Sequence, residues 1–391
     1  MAPDGLIGHW PDYDSGSIVN LMSSIGQRFG RQANGYNASS ALQGIDLADY
    51  EQCILLVVDG LGYEYLQNTS GLLKANRSDS LTSVFPSTTA TSITTFLTGQ
   101  APQQHGLTGW FTYLEEVDGV TAVLPCMLRG SESSLSDLGV NIARLYKHPI
   151  FFDELNCASH VVSQNWILGT DFNQSHTGRA QTHGYETLIE MFEVMQQCVN
   201  EAKGEQFIYA YWSEFDHLSH IHGNQSENVK THFKEIQTEV EKFVQNIKGK
   251  KTLLMITADH GFIDTTPEQC ITVNEHSVLH DCLSMPLSGE PRAAYCYVKP
   301  DKHDVFVDYV NSEFSEKLQC VASQELLEKN AFGLGQANSR LSKRIGDYAL
   351  IMKDNFIIKD WMACESYFFH YGVHGGVSQR EMYVPLIILE S

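Results

Sequence analysis

The chain has 391 residues, 42% of them hydrophobic, which argues against global disorder and suits one large α/β domain with an insertion, or two domains. A formal net charge of -21 argues against non-specific binding to nucleic-acid duplexes or membrane surfaces, while a small anionic substrate stays compatible if bound cations reverse the local field. No stretch approaches the roughly 20 apolar residues that span a bilayer; no signal peptide precedes Gly30, and the nine scattered cysteines contain no CxxC pair, which predicts reduced thiols and a cytoplasmic setting.

Residues 1–49 are rich in Gly, Ser and Asn, with one helical pattern over Ser17–Phe29, and read as a lead-in packed on the core. Cys53–Val58 is a continuous apolar run, as a strand buried on both faces should be. It ends in Asp59-Gly60; in parallel α/β sheets chemistry collects outside such carboxyl ends, although Asp59 taken alone reads more simply as a helix N-cap. Phe85-Pro86-Ser87-Thr88-Thr89-Ala90-Thr91-Ser92 precedes a helical run, Ile93–Leu97, closed by Thr98-Gly99. A Thr before a helix start can cap its free N–H groups, and the same N-terminus favours a phosphate. Phe111–Val117 and Val120–Leu124 around Asp118-Gly119 predict a hairpin with a type I′ turn.

Pro149–Leu155 reads as a short helix and His160–Ser163 as a strand. Tyr185–Ala202 has helical period, with Leu188, Met191, Phe192 and Met195 on one face, most simply as core. Gln206–Trp212 is the next strand and runs into Glu214–Gly223. If that segment is helical, Asp216 and His220 share a face and can share an ion, whereas His217 and His222 point elsewhere, as polar rim residues. Val229–Ile247 reads as a long amphipathic helix and Thr252–Thr257 as a strand delivering Asp259-His260-Gly261. Residues 265–342 read as a small α+β insertion, with a strand over Arg292–Lys299 and helices over Lys302–Phe314 and Ser323–Lys329. Strand character resumes at Ile345–Met352, and the tail holds His374-Gly375-Gly376 before Tyr383–Leu389. Residues 50–391 are thus expected to form one catalytic domain.

Asp59, Asp216, His220, Asp259, His260 and His374 each end an apolar run or sit in a Gly-flanked segment. Asp and His suit divalent zinc, and six such residues with a hydroxyl can hold two ions. The hydroxyl comes from the threonine-rich stretch, because a hydroxyl needs a base or a metal to become a nucleophile.

The ordered set of VVDG at 57–60, FPSTTATSITTFLTG at 85–99, HGLTGW at 105–110, EFDHLSHIHG at 214–223, ADHGF at 258–262 and HGG at 374–376 resembles the alkaline phosphatase superfamily, in its type I phosphodiesterase/nucleotide pyrophosphatase branch. The resemblance runs from about Ile54 to Leu389. It implies a mixed, mostly parallel sheet flanked by helices. It also implies two Zn2+ ions, one held by Asp216, His220 and His374, the other by Asp59, Asp259 and His260 together with the nucleophile. Counting back from Thr98 places that nucleophile at Thr89, with Thr88 and Thr91 as neighbours in the same stretch. The implied reaction is in-line hydrolysis of a phosphodiester or nucleotide pyrophosphate through a Thr-phosphoryl intermediate. The phosphoryl-binding Asn common in this branch falls at Trp110, which has an indole N–H and no amide. A phosphomonoesterase or phosphonate hydrolase of the same superfamily, and a zinc-binding protein without catalysis, are the competing expectations.

Overall fold

The computed structural model describes residues 3–391. A seven-stranded sheet runs in the order Arg77–Thr82, Tyr383–Glu390, Thr252–Thr257, Gln52–Val58, Gln206–Trp212, Ala158–Gln164, Gln181–Tyr185. Only Tyr383–Glu390 runs against its neighbours; the others pair in parallel. The three central strands Gln52–Val58, Gln206–Trp212 and Thr252–Thr257 are buried throughout, which is why they read as unbroken apolar runs.

Side chains alternate across the sheet. In Gln206–Trp212, Phe207 and Tyr209 meet Phe29, Phe152 and Phe96 of the helices on one face. Trp212 stacks on His232 of helix Glu227–Asn246 on the other. Helix Leu188–Glu201 covers that second face, and its Phe192 packs on Phe243 of Glu227–Asn246. This is the α/β architecture expected: a mostly parallel sheet with helices on both sides.

A second seven-stranded sheet, antiparallel throughout, runs Leu318–Ala322, Tyr348–Met352, Ala293–Cys296, Ser288–Glu290, Phe111–Leu114, Gly119–Ala122, Met127–Leu128. It has its own core around helix His303–Phe314, including Phe306, Val310 and Phe314. Its strands come both from within 265–342 and from outside that range, so 265–342 is not a separate sheet. The Phe111 hairpin and Tyr348–Met352 complete it.

Several local expectations change. The hairpin pairs Leu114 with Gly119, leaving a four-residue loop in which Asp118 alone is left-handed, at φ 47°; a type I′ turn needs two such residues. Tyr185 ends an edge strand, and the following helix starts at Leu188 behind a Thr187–Glu190 capping box. In the first part of the chain, helix Ile18–Arg28 lies against helix Thr89–Thr98, and Ser17 bridges to Thr82.

Candidate active site

The strand carboxyl ends converge as the apolar runs predict. Asp59 follows Gln52–Val58 directly, and Asp259 and His260 lie just past Thr252–Thr257. Helix Glu214–His222 follows Gln206–Trp212 and carries Asp216 and His220 one turn apart. His374 follows the short strand Gly372–Val373, which pairs with Ile263–Asp264. Two groups result, Asp59/Asp259/His260 and Asp216/His220/His374, each with ligand atoms within 4.8 Å of one another. The groups abut: the rings of His260 and His374 stack at 3.7 Å, and His374 Nε2 is 3.3 Å from His220 Nε2.

The polar bonding of these side chains leaves a definite set of atoms free. His220 Nδ1–H donates to the Gly372 carbonyl at 2.8 Å, and His260 Nδ1–H to the Gly261 carbonyl at 3.1 Å. Both Nε2 atoms therefore carry lone pairs turned towards the carboxylates. Asp59 Oδ1, Asp216 Oδ1 and Asp259 Oδ2 are buried and have no hydrogen-bond partner. Partnerless buried carboxylate oxygens are costly; here His260 Nε2 lies 3.3 Å from both Asp59 Oδ1 and Asp259 Oδ2, and His220 Nε2 3.4 Å from Asp216 Oδ1. Carboxylate oxygens and imidazole lone pairs crowded together fit divalent cations and little else.

The remaining oxygens of Asp59 and Asp259 are anchored. Tyr211 Oη donates to Asp59 Oδ2, and Gly60 N–H to Asp259 Oδ1 at 3.0 Å. Without cations, burial raises the Asp59 carboxyl to about 6 and Asp259 to about 8, and lifts Asp216 well above its ordinary range. Burial lowers His220 to about 3 and depresses His260 and His374. The imidazoles are thus neutral, as ligands must be.

Thr89 opens helix Thr89–Thr98, and its Oγ1 lies 3.1 Å from His260 Nε2. Neither Thr88 nor Thr89 caps the helix as expected. The Thr88 side chain makes no cap bond and instead donates to Glu290 Oε1 at 2.7 Å. The first-turn N–H groups beside Thr89 are left for a ligand. Thr91 is buried within the helix, and its Oγ1 has no partner.

Glu290 was not legible in the sequence. It ends a strand of the second sheet, accepts from the Trp110 N–H at 2.6 Å as well as from Thr88, and is raised to about 7 by burial. Trp110 therefore uses its backbone N–H on Glu290 and is 38% exposed at the cavity wall. The cavity, about 1160 Å³, is lined by Asp59, Asp216, His220, His374 and Thr89, and by the aromatic rings of Phe111, Trp166, Trp361 and Phe368. His217 is exposed at its edge, in keeping with a rim position. Lys359 also lines it, poised 4.6 Å from the Phe368 ring centre.

The His374 loop rests on a buried ion pair. Arg292 Nε and Nη2 donate to Glu381 at 3.0 and 2.9 Å, and Glu381 Oε1 accepts from Gly376 N–H at 2.8 Å. Both side chains are fully buried. Arg292→Met is expected to cost about 3–5 kcal/mol in denaturant unfolding, because it strands the Glu381 carboxylate. An unchanged unfolding midpoint would show that the pair contributes nothing.

Residues 53–376 match the family described as type I phosphodiesterase / nucleotide pyrophosphatase. Murine ectonucleotide pyrophosphatase/phosphodiesterase 5 has a similar structure, with TM-score 0.64 and 16% identity over 85% of this chain and 87% of that one. Phosphonoacetate hydrolase from Sinorhizobium meliloti 1021, in complex with phosphonoacetate, aligns with TM-score 0.62 and 14% identity, covering 87% of this chain and 90% of that one. No curated protein sequence matches the chain. The match over residues 53–376, with the site they build, shows that the chain belongs to the type I phosphodiesterase / nucleotide pyrophosphatase family and is a hydrolase of the alkaline phosphatase superfamily.

Proposed function

We propose that the protein hydrolyses phosphodiester or nucleotide pyrophosphate bonds with Thr89 as nucleophile and two Zn2+ ions as cofactors. The observation that carries this is the set of three partnerless carboxylate oxygens, on Asp59, Asp216 and Asp259, facing imidazole Nε2 atoms beside Thr89. Asp59, Asp259 and His260 would hold one ion next to Thr89, and Asp216, His220 and His374 the other. Bound there, divalent ions supply the charge that acidifies a nearby hydroxyl and offsets negative charge on phosphoryl oxygens.

The chain's own groups then act in order. Thr89 Oγ1 gives up its proton to solvent and attacks phosphorus in line, and the ester oxygen departs with its bond electrons and takes a proton from water. The first-turn N–H groups of helix Thr89–Thr98 stabilise the phosphoryl oxygens as charge builds. Water then cleaves the phosphothreonine and returns the hydroxyl. The aromatic cavity, at about 1160 Å³ large enough for a nucleotide-sized ligand, supports a substrate with an extended organic group. The nine free cysteines support a reducing, cytoplasmic setting. Among the described residues no helix is long and apolar enough to cross a membrane.

The test compares metal-loaded protein on bis-p-nitrophenyl phosphate, p-nitrophenyl phosphate and phosphonoacetate. Diester turnover is expected to exceed monoester and phosphonate turnover by at least about tenfold, since each 1.4 kcal/mol of differential binding gives that factor. A monoester or phosphonate preference would move the protein elsewhere in the superfamily; no turnover on any substrate would sink catalysis.

A further inference from the structure

A third cluster of ligating side chains lies well away from the catalytic one. His160 and His183 sit two residues in from the starts of the neighbouring strands Ala158–Gln164 and Gln181–Tyr185. The register pairs Val162 with His183, so His160 and His183 are diagonal neighbours on one face of the sheet. That face is covered by helix Leu188–Glu201, which supplies Cys198. It is opposite the face on which Tyr211 reaches Asp59, and the cluster lies mid-strand, short of the carboxyl ends that bear the catalytic groups.

His160 Nδ1 lies 2.9 Å from His183 Nε2, and Cys198 Sγ lies 3.7 Å from the same His183 nitrogen. One ring nitrogen is thus approached by two polar groups that its single lone pair or single proton cannot both satisfy. A tetrahedral zinc with N ligands at about 2.05 Å and a thiolate at about 2.3 Å sets N···N near 3.4 Å and N···S near 3.6 Å. The N···S separation of 3.7 Å agrees to about 0.1 Å, and the N···N separation of 2.9 Å is about 0.5 Å short, a gap that rotation of the two rings opens. Gln206 Nε2, on the next strand, donates to the Cys198 carbonyl at 3.0 Å and so holds the ligand-bearing turn of the helix against the sheet. The three protein ligands leave the fourth position of a tetrahedral ion to water.

We propose that His160, His183 and Cys198 form a third, non-catalytic metal site for a zinc-class divalent ion, which ties the sheet edge to helix Leu188–Glu201. Imidazole with thiolate selects Zn2+ and its analogues over the hard cations Mg2+ and Ca2+. Binding expels the Cys198 thiol proton to solvent and forms a metal–sulfur bond, with no redox change.

Cobalt(II) tests the site without relying on hydrolysis. The two catalytic groups offer only oxygen and nitrogen, so a near-ultraviolet thiolate-to-Co2+ charge-transfer band reports a cysteine site alone. Full-length protein titrated with Co2+ is expected to show that band and to bind about three ions per chain; Cys198→Ala should lose the band and one ion while keeping diester hydrolysis within about twofold. His183→Gln, read the same way, covers the case in which Cys198→Ala fails to fold. Absence of the band in the unaltered protein, or its survival in either variant, overturns the assignment. Loss of hydrolysis with the band retained in the unaltered protein would count against the proposed catalytic reading and leave this site standing.

Discussion

Thr89→Ala is expected to lower kcat/KM by at least about a thousandfold while leaving metal content and unfolding midpoint near those of the parent protein. The side chain is 8% exposed and its hydroxyl points to His260 Nε2, so truncation removes the attacking oxygen and little packing. Neighbouring Thr88 provides the control. Its hydroxyl is committed to Glu290, and the same carboxylate oxygen also takes the Trp110 N–H. Thr88→Ala therefore frees Glu290 to shift and should change KM more than kcat, by about tenfold or less. Steady-state kinetics with metal analysis on both variants decides the register: a dead Thr88→Ala beside an active Thr89→Ala would move the nucleophile by one residue.

Much of this was legible because burial on both faces leaves a plain mark. Cys53–Val58, Gln206–Trp212 and Thr252–Thr257 are apolar at nearly every position, so strand, sheet class and the Asp or His at each carboxyl end could be read together. The edges were harder for the same physical reason. Arg77–Thr82 and Gln181–Tyr185 are partly exposed, and their mixed composition carries neither an apolar run nor a clean alternation. Tyr185 read as a helix start since the true start, Leu188, shares its apolar character; only the Thr187–Glu190 capping box separates them.

The site divides along the same line. Its six Asp and His residues stand in short motifs at the ends of apolar runs or beside glycines, which the sequence displays directly. Glu290 lies in Ser-Gly-Glu-Pro, which looks like any polar turn, and reaches Thr88 only because the second sheet folds over the helix start. Tyr211 sits inside a strand already explained by packing, and nothing local tells its hydroxyl from that of Tyr209. Contacts made by topology, unlike those made by spacing, leave no periodic trace in the chain.

The same crowding of acids predicts how the protein responds to losing its metals. In chelated protein, burial raises Asp59 to about 6, Asp259 to about 8 and Asp216 well above its ordinary range. Between the unfolded carboxylate pKa of about 3.9 and these values, the folded state holds more protons than the unfolded one. Stability contributed by these groups therefore falls as pH rises through that window. The histidines act in the opposite sense: burial lowers His220 to about 3 and depresses His260 and His374, so their contribution is lost as pH falls below about 6.5. Chelated protein should be most stable near pH 6 and should lose on the order of a few kcal/mol by pH 8. Metal-loaded protein escapes the alkaline limb, because cations replace the protons on the same oxygens. The gap between loaded and chelated melting temperatures is thus expected to widen from pH 6 to pH 8. Asp259→Asn should flatten the chelated curve above pH 6 and abolish hydrolysis at once, since the carboxylate that destabilises the empty fold is the one that would hold the ion beside Thr89. Parallel loaded and chelated curves, or an alkaline limb as steep in Asp259→Asn as in the parent when only the Asp216 share should remain, would show that these acids are not the cation-binding groups.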